Sequence, residues 1–242
     1  MTVIQFLKKL SLVLLFLPII TFAQQDTSFL IGSVNQAKKA YYQKIQGQAH
    51  LYNGSDYLEY SSVSDEHPYY ITDDWSLGTI NYGHEVYETV PILYDISADK
   101  VITEHYYNSN KMQLVSEMIS SFTIQNRIFI RIIKNDPSIP SVSTGFYEVL
   151  KDGLTKVYAR RTKAFQKRIS SDQYSIYFEE KNRYYIYKNK GYYEVASKSS
   201  TLQVLGDKKD EVKKFIKSNH IKFKTNPENS IVAIVTYYDS LN

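Results

Sequence analysis

The run His84-Glu85-Val86-Tyr87-Glu88 is one residue short of the pattern H-E-x-x-H. In that pattern two histidines, one helical turn apart, hold zinc while the glutamate acts as a base. Here the fifth position is Glu88, and the run follows Gly83 in a segment of strand character. Residues i and i+4 of a strand share a face but lie about 13 Å apart at roughly 3.3 Å per residue, too far for one ion. Of the five histidines, His50, His67, His84 and His105 lie among the carboxylates of the acidic part and His220 stands alone. Their spacing does not converge on a metal site, and scattered surface histidines are the plainer reading. The chain lacks G-x-S-x-G, a P-loop and G-x-G-x-x-G, so no cofactor is expected. It has no cysteine, hence neither disulfide nor thiolate. A carboxylate pair for glycoside hydrolysis needs no local motif, because the fold sets its geometry. A hydrolase acting on periplasmic glycan or peptide therefore stands as the alternative reading, with acid and base unassigned.

Tyrosine is the unusual component, with 23 Tyr against one Trp. Many are paired: Tyr41-Tyr42, Tyr69-Tyr70, Tyr106-Tyr107, Tyr184-Tyr185, Tyr192-Tyr193 and Tyr237-Tyr238. Adjacent strand residues point to opposite faces, so one member of a pair can enter the core while the other lies outward. Outward tyrosines pack across strands or offer rigid, amphipathic contact area to a partner. The basic run Lys156, Arg160, Arg161, Lys163, Lys167 and Arg168 suits phosphates, anionic lipid or acidic glycan as well as it suits a solvated strand edge. Together these residues define an expected binding surface at Trp75, Tyr185, Tyr187, Arg160 and Arg161.

The elements that must carry them form an α+β pattern. Ser33 to Gln36 fits a capping box, and Val34, Ala37, Tyr41 and Ile45 continue at helical spacing. This predicts a helix over about 33–50, ended by Asn53-Gly54. From Gly78 the period becomes two. Short strands around 80–82, 86–94, 101–107, 111–116, 120–124 and 127–133, separated by turn residues, predict an antiparallel meander. Lys151-Asp152-Gly153 turns a hairpin between 146–150 and 156–160, and Asn189-Lys190-Gly191 turns another between 183–187 and 192–195. Residues 162–182 carry no clear period. The C-terminal segment 198–242 reads as helical: Ser199 or Ser200 and then Asp207 as caps of two short helices, and Asn226 with Pro227 at the start of a third. In that last helix Ile231, Ile234, Val235, Tyr238 and Leu241 form one apolar stripe that must find cover.

The first 23 residues read as a secretory signal. Lys8-Lys9 precede an apolar run from Leu10 to Ile20, and Thr21-Phe22-Ala23 supplies small residues before Gln24. The run is too short to span a hydrocarbon core of about 30 Å, and no second apolar stretch near 18 residues follows, so no transmembrane span is expected after cleavage. Export makes nucleic acid an unsuitable partner. The remaining chain reads as a mainly β domain, 24–197, with the helical segment 198–242 packed on it. The formal charge of +4 hides an asymmetry. Residues 24–150 carry 8 Lys+Arg against 15 Asp+Glu, and residues 151–224 carry 19 against 8. Either the basic part meets an anionic partner, or the two parts face each other.

Three segments carry a resemblance: Gly78-Thr79-Ile80-Asn81-Tyr82; Tyr87 to Asp95 with Phe122 and Phe129; and Asp207 to Val212 with the ending Tyr237-Tyr238-Asp239-Ser240-Leu241. In these the chain resembles a family of exported Bacteroidota envelope proteins to which no activity is assigned. The resemblance implies a periplasmic, outer-membrane-associated or extracellular location and carries over no functional residue. With the absence of catalytic motifs, it sets the expectation of a binding or assembly role, with an envelope protein or an anionic glycan or lipid surface as partner.

Overall fold

A computed structural model describes residues 31–34, 36–37, 40, 50–60, 66–134, 142–170 and 173–241, with 167–170 and 173–176 in backbone only. The chain divides into two compact units, 1–46 and 47–242. The signal segment, and most of the helix expected over 33–50, lie outside the described residues; those described between 31 and 40 are helical.

The second unit is built on one antiparallel sheet. Its strands are β1 (Ser55–Asp56), β2 (Ser76–Tyr82), β3 (Glu85–Asp95), β4 (Lys100–Glu104), β5 (Lys111–Gln113), β6 (Ile119–Ile124), β7 (Arg127–Ile132), β8 (Gly145–Lys151), β9 (Lys156–Ser170), β10 (Gln173–Lys188) and β11 (Gly191–Val195). They run in the order β1-β5-β4-β3-β2-β6-β7-β8-β9-β10-β11. Three helices follow: α1 (Lys198–Val204), α2 (Lys209–Ser218) and α3 (Pro227–Asp239). The mostly antiparallel α+β reading therefore holds for the sheet and the C-terminal helices.

The register explains where the core sits. Ile80, Phe122, Phe129, Glu148, Ala159, Tyr184 and Val195 lie opposite one another along one row across seven strands, so they share a face. Over β3, β6, β7 and β8 the core is aromatic. Phe122 and Phe129 stack at 5.0 Å, and Tyr94 meets each of them at 5.1 Å, edge to face. The buried Tyr94 hydroxyl donates to Asp99 at 2.7 Å. Over β9, β10 and β11 the helices provide the cover: Val157, Ile186 and Val195 pack with Leu202, Leu205, Val212, Ile216, Ile231, Ile234, Val235 and Tyr238. The apolar stripe of α3 is thus spent inside the fold.

The sheet twists enough to bring distant strands together. Asp99, just after β3, forms a two-pronged ion pair with Arg160 of β9 at 2.8 and 2.9 Å. The Lys163 amide donates to the Ile96 carbonyl at 3.3 Å. Gly145 lies beneath this pair at φ +154°, and a Cβ there would strike both Arg160 and Asp99. A glycine is needed at that crossing on both counts.

Residues 162–182, without period in the sequence, prolong the β9–β10 hairpin well past its neighbours. Glu179, Glu180, Lys181, Asn182 and Arg183 are all exposed, so no apolar alternation marks the strand. Its pairing rests on the backbone ladder, with Glu180 opposite Lys163, and on Phe178 opposite Phe165, whose rings meet edge to face at 6.0 Å. The first helix is capped earlier than expected. Ser197, not Ser199 or Ser200, is its N-cap, and Ser200 closes the capping box from N3. Asp207 lies in a 3-10 turn before α2 rather than at its cap. Asn226 caps α3, its side chain accepting from the Asn229 amide at 3.0 Å, with Pro227 at N1.

The far end of α3 is tied to the β8–β9 turn. The Asp239 carboxylate pairs with Lys151 and accepts from the Thr155 amide at 3.2 Å. Burial alone would raise this carboxyl, but the bonds from Lys151 and Thr155 outweigh it and hold it below the ordinary carboxylate range. A depressed folded pKa gives stability that is complete above the unfolded value of about 3.9 and is lost as pH falls through the folded one. Asp239→Asn is therefore expected to cost about 1.5–3 kcal/mol at neutral pH, as loss of a charged hydrogen bond does. Urea unfolding at pH 7, 4 and 2.5 should show that cost shrinking towards zero at the acid end.

Candidate binding site

The five residues expected to form a binding surface go to three places. Trp75 packs against a separate cluster of Tyr57, Tyr69, Leu93 and Ile102. Arg160, Tyr185 and Tyr187 share the sheet face away from the helices, because Arg160 lies opposite Arg183 and Tyr185 opposite Tyr158. Arg161 points to the other face, under α3.

On the first of these faces Tyr147, Tyr158 and Tyr185 form a buried cluster with Ile132 and Val142. Tyr185 is only 3% exposed and meets Tyr147 edge to face at 5.5 Å. Burial, helped by Tyr147, pushes the Tyr185 phenol up to about 12. Tyr187, half-buried, pairs with Tyr192 at 4.7 Å. Arg160 donates to Asp99 and to the Phe146 carbonyl and lies over the Tyr147 ring at 5.2 Å.

Arg161 is 8% exposed and bridges two acids, Glu148 at 2.7 Å and Glu228 of α3 at 2.7 Å. Glu148 has no exposed surface; it also accepts from the Tyr70 hydroxyl at 3.2 Å and has Arg127 at 3.3 Å. Both arginines are committed within the fold. Two of the strand cations thus meet acids of the first half, whereas Lys151, Lys156, Lys181 and Lys188 pair with acids of the second half. His84 and Glu88 are both exposed, the first in the turn before β3. Among the described residues no three His, Asp or Glu gather at metal-binding range.

Positive charge that is not consumed by the sheet remains on the helices. Residues 198–224 hold eight lysines against three carboxylates. Between α1, α2 and the turn after α2 lies an open groove of about 560 Å³. Its floor is apolar: Leu202 of α1, Ile216 of α2 and Ile221. Lys198, Lys213, Lys217, Lys222 and His220 form its rim, all exposed. The helical period puts them there. Lys213, Ile216 and Lys217 fall at offsets 0, 3 and 4, one face of α2, His220 follows in the left-handed turn beyond its C-cap, and Lys198 and Leu202 are one turn apart on α1. Lys213 has Asp210 at 3.7 Å. Among the described residues Lys198, Lys217 and Lys222 have no ion-pair partner.

No family model, curated protein or solved structure matches this chain. The site therefore rests on its own geometry. An apolar lining ringed by ammonium groups, three of them unpaired among the described residues, can hold an anion that carries an apolar part. In the sequence, Val212, Phe215 and Ile216 mark one face of α2, whereas the lysines of the neighbouring face merge into the basic segment 151–224. The usable signal was the pair Lys213 and Lys217 flanking Ile216 at a spacing of one turn.

Proposed function

We propose that this chain is an exported envelope protein that acts by binding, and that its target is anionic. Export rests on the order of Lys8-Lys9, the apolar Leu10–Ile20 run and Thr21-Phe22-Ala23. The observation that carries the binding role is the groove whose apolar floor is ringed by Lys198, Lys217 and Lys222 without acidic partners among the described residues. Ammonium groups around low-dielectric apolar surface raise the local concentration of anions. Among the described residues no helix is long and apolar enough to cross a membrane.

The test has two readouts on one preparation. The chain is recovered from fractionated cells without denaturant, weighed intact, and its bound small molecules are identified by mass spectrometry. The expected species begins at Gln24 or its pyroglutamate form, comes from the envelope or the medium, and carries an anionic component. A cytoplasmic protein that retains Met1 to Ala23 would refute export; an exported protein that carries only neutral components would refute the anionic target.

A further inference from the structure

The proposed binding role leaves the form of the anionic target open, and the relief of the groove narrows it. Leu202 and Ile216 are only 6% and 3% exposed, whereas every lysine of the rim is exposed. Both of those apolar residues belong to the core packed against β9–β11, so the apolar surface that the groove offers is mainly Ile221 and the lysine stems, set below the ammonium groups. A protein that docks on a bilayer does the opposite: it projects apolar side chains past a basic collar and pushes them into the lipid. Here the apolar part must come from the ligand and enter the protein. The groove, at about 560 Å³, is shallow and wide open to solvent. It opens at the rim, where Lys217 projects from the C-terminal end of α2 and His220 and Lys222 lie in the segment beyond.

Resting on that binding role, we infer that the groove takes one single-chain anionic amphiphile, whose alkyl segment lies along Ile221 and the stems of Lys213 and Lys217 and whose phosphate or carboxylate head meets Lys198, Lys217 and Lys222. Each methylene laid on the groove removes apolar surface from water and so adds to the affinity. The head adds charge-assisted contacts that a neutral head cannot make. Both parts are needed. Inorganic phosphate alone lacks the apolar contribution, and a sugar-headed detergent of equal chain length lacks the ionic one.

The probe is dodecyl phosphate below its micelle concentration, titrated by calorimetry into the chain from Gln24 onward. Inorganic phosphate, dodecyl maltoside and phosphatidylglycerol vesicles serve as comparison ligands. Lys217→Gln/Lys222→Gln removes two rim charges and Ile221→Ser roughens the floor; Lys190→Gln, at the exposed β10–β11 turn, is the control. Exposed lysines leave folding intact, which circular dichroism verifies. The inference holds if dodecyl phosphate binds one to one, the double variant weakens it roughly tenfold or more, Ile221→Ser also weakens it, and the control does not. It is overturned if the groove variants bind as tightly as the parent. It is equally overturned if dodecyl maltoside binds as well, if inorganic phosphate accounts for all the affinity, or if only vesicles bind. No binding of any probe overturns it too. The broader anionic target is then judged separately by what the recovered envelope protein carries.

Discussion

Arg161→Ala is expected to destabilise the protein more than any other single truncation considered, by about 3–5 kcal/mol. The reason is asymmetry. Arg161 and Glu148 are costly to bury, and the fold recovers that cost only because the guanidinium reaches Glu148 and Glu228 together. Removing the arginine leaves a carboxylate with no exposed surface, supported only by the Tyr70 hydroxyl and by Arg127, which is itself half-exposed. For a domain of this size, each kcal/mol lowers Tm by about 2–4 °C. Replacing both partners, in Glu148→Leu/Arg161→Met, removes the stranded charge as well as the pair. The double variant should therefore be closer to the parent than the two single losses added together. Thermal unfolding of the four proteins checks this. A strictly additive cycle would mean that the two groups do not interact.

The second large effect concerns α3. Ile234 has no exposed surface and packs among Ile231, Val235, Val212 and Ile216. Ile234→Ala should cost about 2–5 kcal/mol, through lost burial and the cavity left behind. Thr236 is exposed on the opposite side of the helix, and Thr236→Ala should change stability by no more than about 0.5 kcal/mol. Urea midpoints of the two variants compare them directly. Equal, small effects would make α3 a detachable tail rather than part of the core.

These residues also mark how far the sequence could be read. The apolar stripe of α3, the Asp-Gly hairpin and the short strands from Gly78 to Ile132 were legible, because each carries a local signal of period or turn chemistry. The distal β9–β10 hairpin was not, since Glu179 to Arg183 are polar and exposed, and its aromatic contact, Phe165 opposite Phe178 with Tyr60 on both, comes partly from outside the two strands. The fate of Arg160 and Arg161 was illegible for a different reason. A basic run looks the same whether it faces solvent or meets Asp99 and Glu148 from strands far away in the chain, and only the curl of the sheet decides. Of the tyrosine pairs, Tyr184-Tyr185 and Tyr192-Tyr193 lie in strands and divide by face, whereas Tyr69-Tyr70 are both buried, Tyr106-Tyr107 are both exposed in a turn, Tyr237-Tyr238 sit on α3 and Tyr41-Tyr42 lie outside the described residues; Tyr185 went inward against Tyr147 rather than towards a partner. The groove was missed because its floor comes from α1, α2 and the turn after α2, so no single helix carries its full pattern.

The central claim is that the helical segment, and not the sheet, receives the ligand. Amide chemical-shift mapping of the isotopically labelled chain during titration with dodecyl phosphate tests it most directly. Shifts concentrated on Lys198 to Leu202 and Lys213 to Lys222, saturating together, are the expected result. Shifts centred on the tyrosine face around Tyr158, Tyr187 and Tyr192, with the helices unmoved, would contradict it.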